Sequence, residues 1–172
     1  KINTIINLIK NKKNLIIVGA MANNFIKFNN IEVGKSLIEV GTENVVKNIN
    51  IEAKKYNCKI LIPSDFNTSL SKNGESSYKL SKDIKSTDMI LDIGKNTITK
   101  INEIIDNSNT VFWNGPAGYF ENKNFANGTL SIAKKIAENT KSKSLISIIG
   151  GGDTLAAIKN TGLENIFTHL ST

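Results

Sequence analysis

Two places in this 172-residue chain join a largely apolar, β-prone run to a group of glycines and then to a helical pattern. The run from Thr110 to Trp113 leads into the stretch from Asn114 to Glu121, and the run from Leu145 to Ile149 leads into the stretch from Gly150 to Thr154. Mostly apolar runs of this length are typical of strands buried on both faces of a parallel sheet. Ligands of α/β proteins bind where such strands end and helices begin. The two junctions therefore predict an α/β fold with a ligand site at the glycines.

The second junction has the chemistry of an anion site. Its three glycines, Gly150 to Gly152, let the backbone approach a ligand without interference from a Cβ atom. The helix predicted to begin near Thr154 would point its free N–H groups and its positive dipole end at the same place. Asp153 adds a hard carboxylate of the kind that holds Mg²⁺ beside phosphate oxygens. A structural alternative stays open, in which the glycines only form a tight turn and Asp153 only caps the helix.

The remaining sequence alternates short apolar runs with helical patterns. We predict strands at Leu15 to Val18, Lys59 to Ile62, Met89 to Leu91, Thr110 to Trp113, Leu145 to Ile149 and Ile166 to His169. We predict helices at Ile2 to Lys10, Ala22 to Phe28, Glu43 to Asn57, Thr97 to Asn107, Thr129 to Asn139 and Thr154 to Asn160. The polar stretch from Asn67 to Asp83 is predicted to be a surface loop or hairpin. This order predicts a three-layer, Rossmann-like α/β domain whose parallel sheet has about six strands.

Composition argues against several classes of protein. No apolar stretch approaches the roughly 20 residues of a transmembrane helix, and we expect no signal peptide. The net charge is +7, but all 22 basic residues are lysine, whereas nucleic-acid recognition favours the arginine fork. We therefore expect a cytoplasmic protein without a membrane or nucleic-acid partner, in which the single cysteine, Cys58, is a buried thiol.

The stretches from Asn114 to Glu121 and from Gly150 to Thr154 together resemble the C-terminal, nucleotide-binding domain of the phosphoglycerate kinases. Further landmarks of that family follow in the same order: Gly19 to Ala22, Val33 to Leu37, Ile62 to Asp65, Leu91 to Gly94, Phe125 to Thr129 and Thr168 to Thr172. The resemblance covers essentially the whole chain. It implies that residues 1–172 are part of that domain, and that a separate N-terminal domain for 3-phosphoglycerate lies outside this sequence.

The resemblance also implies which residues contact the phosphates of the nucleotide. Asp153 would hold the Mg²⁺ that bridges those phosphates, and Gly151 and Gly152 would contact the reacting phosphates as the catalytic positions. Further phosphate contacts are implied at Lys1, Asn114, Gly150 and Thr154.

For the nucleoside, the resemblance implies a carboxylate and an apolar slot. Glu121 would accept hydrogen bonds from the ribose hydroxyls. Adenine would lie between walls formed by Gly19, Leu37, Leu91 and Pro116. From the residues alone, Leu37 and Leu91 are explained equally well as core residues, and Pro116 as a turn former.

Other conspicuous residues are given structural roles. Trp113 and its neighbours are predicted to pack in the core. Asp65 and Asp92 follow strands and are predicted to cap helices or turns rather than to act in catalysis. The single histidine, His169, is expected to have no acid–base role, because phosphoryl transfer depends on positioning and charge neutralisation.

Three residues near the implied adenine slot depart from the family pattern. Val18, Ile90 and Tyr119 are each bulkier than the residue that the family usually has there, and Lys95 replaces a usual proline. The slot is therefore expected to be reshaped, or its affinity for adenine weakened. The positions implied for phosphate and Mg²⁺ keep the family pattern.

The resemblance implies an enzyme of glycolysis that acts as a monomer. It would transfer a phosphoryl group between 1,3-bisphosphoglycerate and ADP, giving 3-phosphoglycerate and ATP, with Mg²⁺ on the nucleotide. The present chain alone is expected to be inactive, because the acceptor site and the arginines that neutralise the phosphoryl group are absent from it. The alternative is a non-catalytic module that binds adenine nucleotides.

Overall fold

The computed structural model describes residues 2–171, which form alternating helices and strands. The helices are α1 (Ile2–Ile9), α2 (Gly19–Phe28), α3 (Glu43–Lys55), α4 (Lys95–Asp106), α5 (Asn127–Lys143) and α6 (Gly152–Ile158). The strands are β1 (Asn14–Ile16), β2 (Lys59–Leu61), β3 (Asp65–Ser69), β4 (Ser77–Leu80), β5 (Met89–Ile93), β6 (Thr110–Asn114), β7 (Ile146–Gly150) and β8 (His169–Ser171). Short 3₁₀ helices lie at Ser81–Asp83 and Lys123–Phe125. The predicted α/β class is confirmed.

The parallel strands of the described residues form two ladders. β1 pairs with β2, and β7 lies between β6 and β8, with all of these neighbours parallel. This gives five parallel strands in two groups instead of about six in one sheet. The third sheet, in the order β4-β3-β5, is antiparallel and contains the hairpin predicted between Asn67 and Asp83. The predicted strand at Met89 belongs to this antiparallel sheet, because an apolar run does not specify the direction of its partner.

Several element boundaries differ from the prediction. α2 begins at Gly19 instead of Ala22, and α5 continues to Lys143, where Ser144 ends it in the left-handed conformation with φ 56°. The last strand was predicted from Ile166 but begins at His169. Ile166 lies in a turn, and it packs with its neighbour Phe167 against the core, so that apolar run is buried without being a strand.

The buried residues form two apolar clusters. One lies around β6, β7, α4 and α5 and includes Trp113, and the other lies around α1, α2 and α3 and includes Cys58. Both residues are buried, as predicted. Ile16 and Val18, which belong to or follow β1, pack against the first cluster and so connect the two parallel ladders through the core. Within residues 2–171, no helix has both the length and the apolar character needed to cross a membrane.

Asp65 caps helix α4 from the neighbouring strand β3. Its buried carboxylate accepts hydrogen bonds from the backbone N–H groups of Asn96 (2.8 Å) and Thr97 (2.9 Å). Burial alone would raise the pKa of Asp65, but bonds from Thr97, Asn96 and Tyr78 outweigh it and hold that pKa below its ordinary value. The predicted capping role of Asp65 is confirmed.

Candidate functional site

The two glycine-containing junctions meet at one edge of the β6-β7-β8 sheet. Asn114, the last residue of β6, lies opposite Gly150, the last residue of β7. The turns that follow are joined by a hydrogen bond, since the backbone N–H of Gly115 donates to Oγ1 of Thr154 at 2.7 Å. The carboxyl ends of neighbouring parallel strands therefore bring the two sequence motifs together, as predicted.

Gly151 occupies a position that other residues tolerate poorly. Its φ is +89°, in the region that favours glycine, and a Cβ atom there would lie 2.7 Å from Oδ1 of Asn114. A Cβ atom on Gly152 would meet nothing within 4 Å, so the space beside the first turn of α6 is open. The backbone at the start of α6 is thus exposed at Gly152, the first residue of the helix, and held against Asn114 at Gly151.

Asp153 and Thr154 follow in the first turn of α6 and have different surroundings. Asp153 is exposed, lines the neighbouring cavity, and takes part in none of the ion pairs among residues 2–171. Thr154 is fully buried, and its hydroxyl accepts the Gly115 N–H. Asp153 is therefore placed to meet a ligand, whereas the Thr154 side chain connects the two turns, and its implied phosphate contact stays a prediction.

A cavity of about 1030 Å³ runs along β1 and β6, with Asn14 and Thr110 at one end, and reaches this edge of the sheet at Val18 and Asn114. Its lining includes most of the residues implied for nucleotide binding: Gly19, Leu37, Leu91, Asn114, Pro116, Glu121 and Asp153. The bulky residues Val18, Ile90 and Tyr119 line the same cavity. Lys1 lies outside the described residues. The structure therefore brings the implied adenine, ribose and metal positions to one cavity, with the Gly150 to Gly152 turn beside it.

The proposed adenine walls differ in how far they are exposed. Leu37 is 72% exposed, so the alternative that it is a core residue is wrong. Leu91 is only 8% exposed and serves the core as well as the cavity. Gly19 has φ +68°, and a Cβ atom on it would lie 2.7 Å from the carbonyl oxygen of Pro116. The close contact of Gly19 with Pro116 therefore depends on glycine and fixes two of the walls against each other.

The loop from Gly115 to Glu121 is fixed by backbone contacts with its neighbours. The N–H of Tyr119 donates to the carbonyl of Leu91 at 2.7 Å, and the N–H of Ala117 donates to Oγ1 of Thr129 at 3.0 Å. A Cβ atom on Gly118 would lie 2.4 Å from the same Leu91 carbonyl. Because the loop packs directly on β5, the wall residues Leu91 and Pro116 are held in a fixed relation.

Asp92 lies beneath this loop and joins it to α5. It is 1% exposed and accepts hydrogen bonds from the N–H groups of Gly128 (2.9 Å), at the start of α5, and Ile93 (2.9 Å). Burial raises the pKa of Asp92 to about 7, although these two hydrogen bonds act to lower it. The predicted capping role is confirmed, but its support of the cavity loop was missed in the sequence.

A metal ion at this site would need ligands from outside the protein. Within residues 2–171, no group of three or more His, Cys, Asp or Glu side chains is arranged to hold a metal. Mg²⁺ fits a different arrangement, since it is commonly held by one or two carboxylates and by substrate phosphates. The exposed Asp153 carboxylate at the cavity edge matches that requirement.

Comparison with known proteins gives one consistent result. The sequence profile of the phosphoglycerate kinase family matches residues 1–172. The phosphoglycerate kinase of a Wolbachia strain from Drosophila simulans is 41% identical over 181 residues, which cover 100% of this chain and 44% of that protein. The one from Zymomonas mobilis is 38% identical over 174 residues, again covering 44% of that protein.

Solved structures agree with the sequence relatives. The phosphoglycerate kinase from Coxiella burnetii has a TM-score of 0.92 at 31% identity, covering 100% of this chain and 45% of that one. The enzyme from Pyrococcus horikoshii has a TM-score of 0.74 at 25% identity, covering 100% and 44%. The chain thus spans slightly less than half the length of the relatives that it matches. On the match along its whole length and on the shared fold, this chain belongs to the phosphoglycerate kinase family.

Proposed function

We propose that residues 1–172 are part of the C-terminal, nucleotide-binding domain of a phosphoglycerate kinase. The protein would transfer a phosphoryl group between 1,3-bisphosphoglycerate and ADP, giving 3-phosphoglycerate and ATP. The observation that carries this proposal is the meeting of the two glycine-containing turns at one cavity that also holds Glu121 and Asp153. Membership of the family supports it.

The residues of the cavity would bind and orient the nucleotide. Leu37 and Pro116 would enclose adenine, and the carboxylate of Glu121 would accept hydrogen bonds from the ribose hydroxyls. Asn114 and the open backbone at Gly152 would contact the phosphates. Holding the nucleotide at several points fixes the direction of its last phosphate, which is the main requirement of phosphoryl transfer.

Asp153 would hold Mg²⁺ together with the nucleotide phosphates. The ion, when bound, would neutralise phosphate charge as the phosphoryl group is transferred. The site for 3-phosphoglycerate would lie in a separate N-terminal domain, and closure of the two domains would exclude water from the reacting groups. The single buried cysteine, Cys58, supports a reducing compartment such as the cytoplasm, and we propose that the protein works there as a monomer.

The proposal is tested first by binding and then by catalysis. Calorimetry should detect binding of ADP to this chain in the presence of Mg²⁺. A coupled assay with 3-phosphoglycerate and ATP should give background rates for the chain alone, since in-line placement of the reactants accounts for roughly 7 to 11 kcal/mol of the barrier. Activity should appear when the flanking sequence and the 3-phosphoglycerate domain are both restored, with this chain replacing the matching 44% of the Wolbachia relative. Absence of ADP binding would refute the nucleotide site, and binding without any such activity would favour the non-catalytic module.

The bulky cavity residues lead to a second prediction. If Ile90 and Tyr119 crowd the adenine slot, the double variant Ile90→Gly/Tyr119→Val should bind ADP more tightly, because overpacking costs about 1 to 3 kcal/mol. Calorimetric titration of both proteins with ADP measures the change. Equal or weaker binding by the variant would show that the slot has already adapted to these side chains.

A further inference from the structure

One irregular segment carries the most exposed wall of the cavity. We call residues 35–41, from Lys35 to Gly41, the Leu37 strap; it follows the bridge between Gly34 and Met89 and precedes α3. Its first residues are held firmly, since Lys35 N–H donates to the Asp88 carbonyl at 2.7 Å and Ile90 N–H donates to Oγ of Ser36 at 2.8 Å. Leu37 comes next and points a largely exposed apolar side chain at the cavity.

Beyond Ser36, two neighbouring asparagines of α2 hold the strap. Nδ2 of Asn23 donates to the carbonyl of Leu37 at 2.9 Å, and Oδ1 of Asn24 accepts from the N–H of Glu39 at 3.0 Å. Asn23 is only 3% exposed, whereas the Asn24 bond lies at the surface. The Asn23 bond is partly buried and therefore competes less with water than the exposed Asn24 bond, so it restrains the strap more.

The side chain of Asn23 lowers the stability of the folded protein at this position. Its Oδ1 is buried and has no hydrogen-bond partner among residues 2–171. A buried polar atom without a partner destabilises a protein, and an apolar side chain of similar size would avoid that cost. Within residues 2–171, the Asn23 side chain makes one hydrogen bond, to the carbonyl of Leu37, and this bond indicates a role in holding the strap.

Asn23 also connects the strap to the opposite wall. Helix α2, which carries Asn23, begins at Gly19, and Gly19 is in close contact with the carbonyl of Pro116. The two sides of the slot, Leu37 and Pro116, are therefore both fixed to the first turns of one helix. We propose that Asn23 is a positioning residue for adenine, which holds the Leu37 strap at the spacing from Pro116 that a flat base requires. This inference rests on the proposed nucleotide site.

A strap that is already in place binds the base at a lower entropic cost. If the Asn23 bond is removed, the strap must be ordered when adenine binds, and that ordering weakens binding. The phosphate contacts proposed above, at Asn114 and Gly152, lie at the ends of β6 and β7, away from the hydrogen bond between Asn23 and Leu37. Loss of Asn23 should therefore weaken ligands that carry a base and leave a ligand made only of phosphate unchanged.

The test compares ADP with pyrophosphate, both with Mg²⁺, by calorimetry. Asn23→Leu keeps the volume of the side chain and removes the donor. It is expected to raise the Kd of ADP by about three- to tenfold, since one hydrogen bond contributes roughly that factor, and to leave the Kd of pyrophosphate unchanged. Asn24→Ala, the matched control, should change both values by less than about twofold, because exposed bonds contribute little.

A double-mutant cycle tests whether Asn23 acts through Leu37. Once Leu37→Ala has removed the wall, adding Asn23→Leu should weaken ADP binding no further. Additive losses would overturn the inference, as would equal losses for ADP and pyrophosphate or an unchanged ADP affinity. If the unsubstituted chain binds no ADP, the proposed function fails instead, and this inference fails with it.

Hydrogen exchange on the unsubstituted chain gives a test that does not depend on the folding of a variant. Saturating ADP should slow exchange of the backbone N–H groups in the Leu37 strap, whereas saturating pyrophosphate should not. Equal protection by both ligands, or none by ADP, would show that the strap does not respond to the base.

Discussion

Replacing Asp153 by alanine is expected to remove the Mg²⁺ dependence of ADP binding. Asp153 is exposed at the edge of the cavity, makes no ion pair within residues 2–171, and lies beside the open backbone of Gly152. Contacts with charged groups contribute roughly 1.5 to 3 kcal/mol, so the Kd measured with Mg²⁺ should rise by about 10- to 100-fold. Without Mg²⁺, removal of a carboxylate near the phosphates should leave the Kd unchanged or lower it.

Calorimetry measures the Kd of ADP for the unsubstituted chain and for the Asp153→Ala variant, each with and without Mg²⁺, and these four values test the prediction. Asp83→Ala is a suitable control, because Asp83 is also an exposed aspartate but does not line the cavity. If the Asp153→Ala variant bound ADP in the presence of Mg²⁺ as tightly as the unsubstituted chain does, the metal would bind elsewhere. Asp153 would then be only a residue of the first turn of α6.

The second large effect concerns the buried carboxyl of Asp92. Its pKa in the folded protein is about 7, compared with about 3.9 for an unperturbed aspartate. The folded state therefore binds more protons than the unfolded state between these two values, and the free energy of unfolding falls as pH rises through that window. The full shift corresponds to about 4 kcal/mol. The stability that the protonated Asp92 carboxyl contributes is therefore present at acidic pH and is lost as pH rises through about 7.

Asp92→Asn should remove this dependence. The amide resembles the protonated carboxyl, so it keeps one oxygen to accept the N–H of Gly128 or Ile93, and it does not titrate. Urea unfolding at a series of pH values from 4 to 8 should show a difference between variant and original chain that grows with pH in favour of the variant. Parallel curves for the two proteins would mean that Asp92 is ionised throughout the range.

Local sequence patterns predicted a ligand site at the two glycine-containing junctions, whereas the adenine and ribose positions came from the resemblance to a family. Asn114 and Gly150 each end an apolar run, and neighbouring parallel strands place their carboxyl ends at one edge. The burial of Trp113 and the capping by Asp65 also follow from short patterns.

The features that escaped prediction depend on contacts between distant residues. The apolar run of β5 does not specify the direction of its partner strand β3, so the antiparallel sheet that contains both strands was not predicted. Asn23 gave no signal, because its partner Leu37 is 14 residues away in a segment without periodicity. The roles implied for individual site residues stay predictions until the binding experiments are made.

The hydrogen bond between Gly115 and Thr154 has a consequence for how the two ends of a ligand share their binding energy. Gly115 is next to Pro116, the proposed adenine wall, and Thr154 follows the turn that we propose binds phosphate, so this bond fixes the spacing between the two proposed subsites. A ligand that occupies both subsites loses its translational and rotational entropy only once. After one end has bound, the other end binds at a high effective concentration. Adenosine and pyrophosphate added together as separate molecules would therefore bind far more weakly than ADP, even though they offer the cavity the same groups.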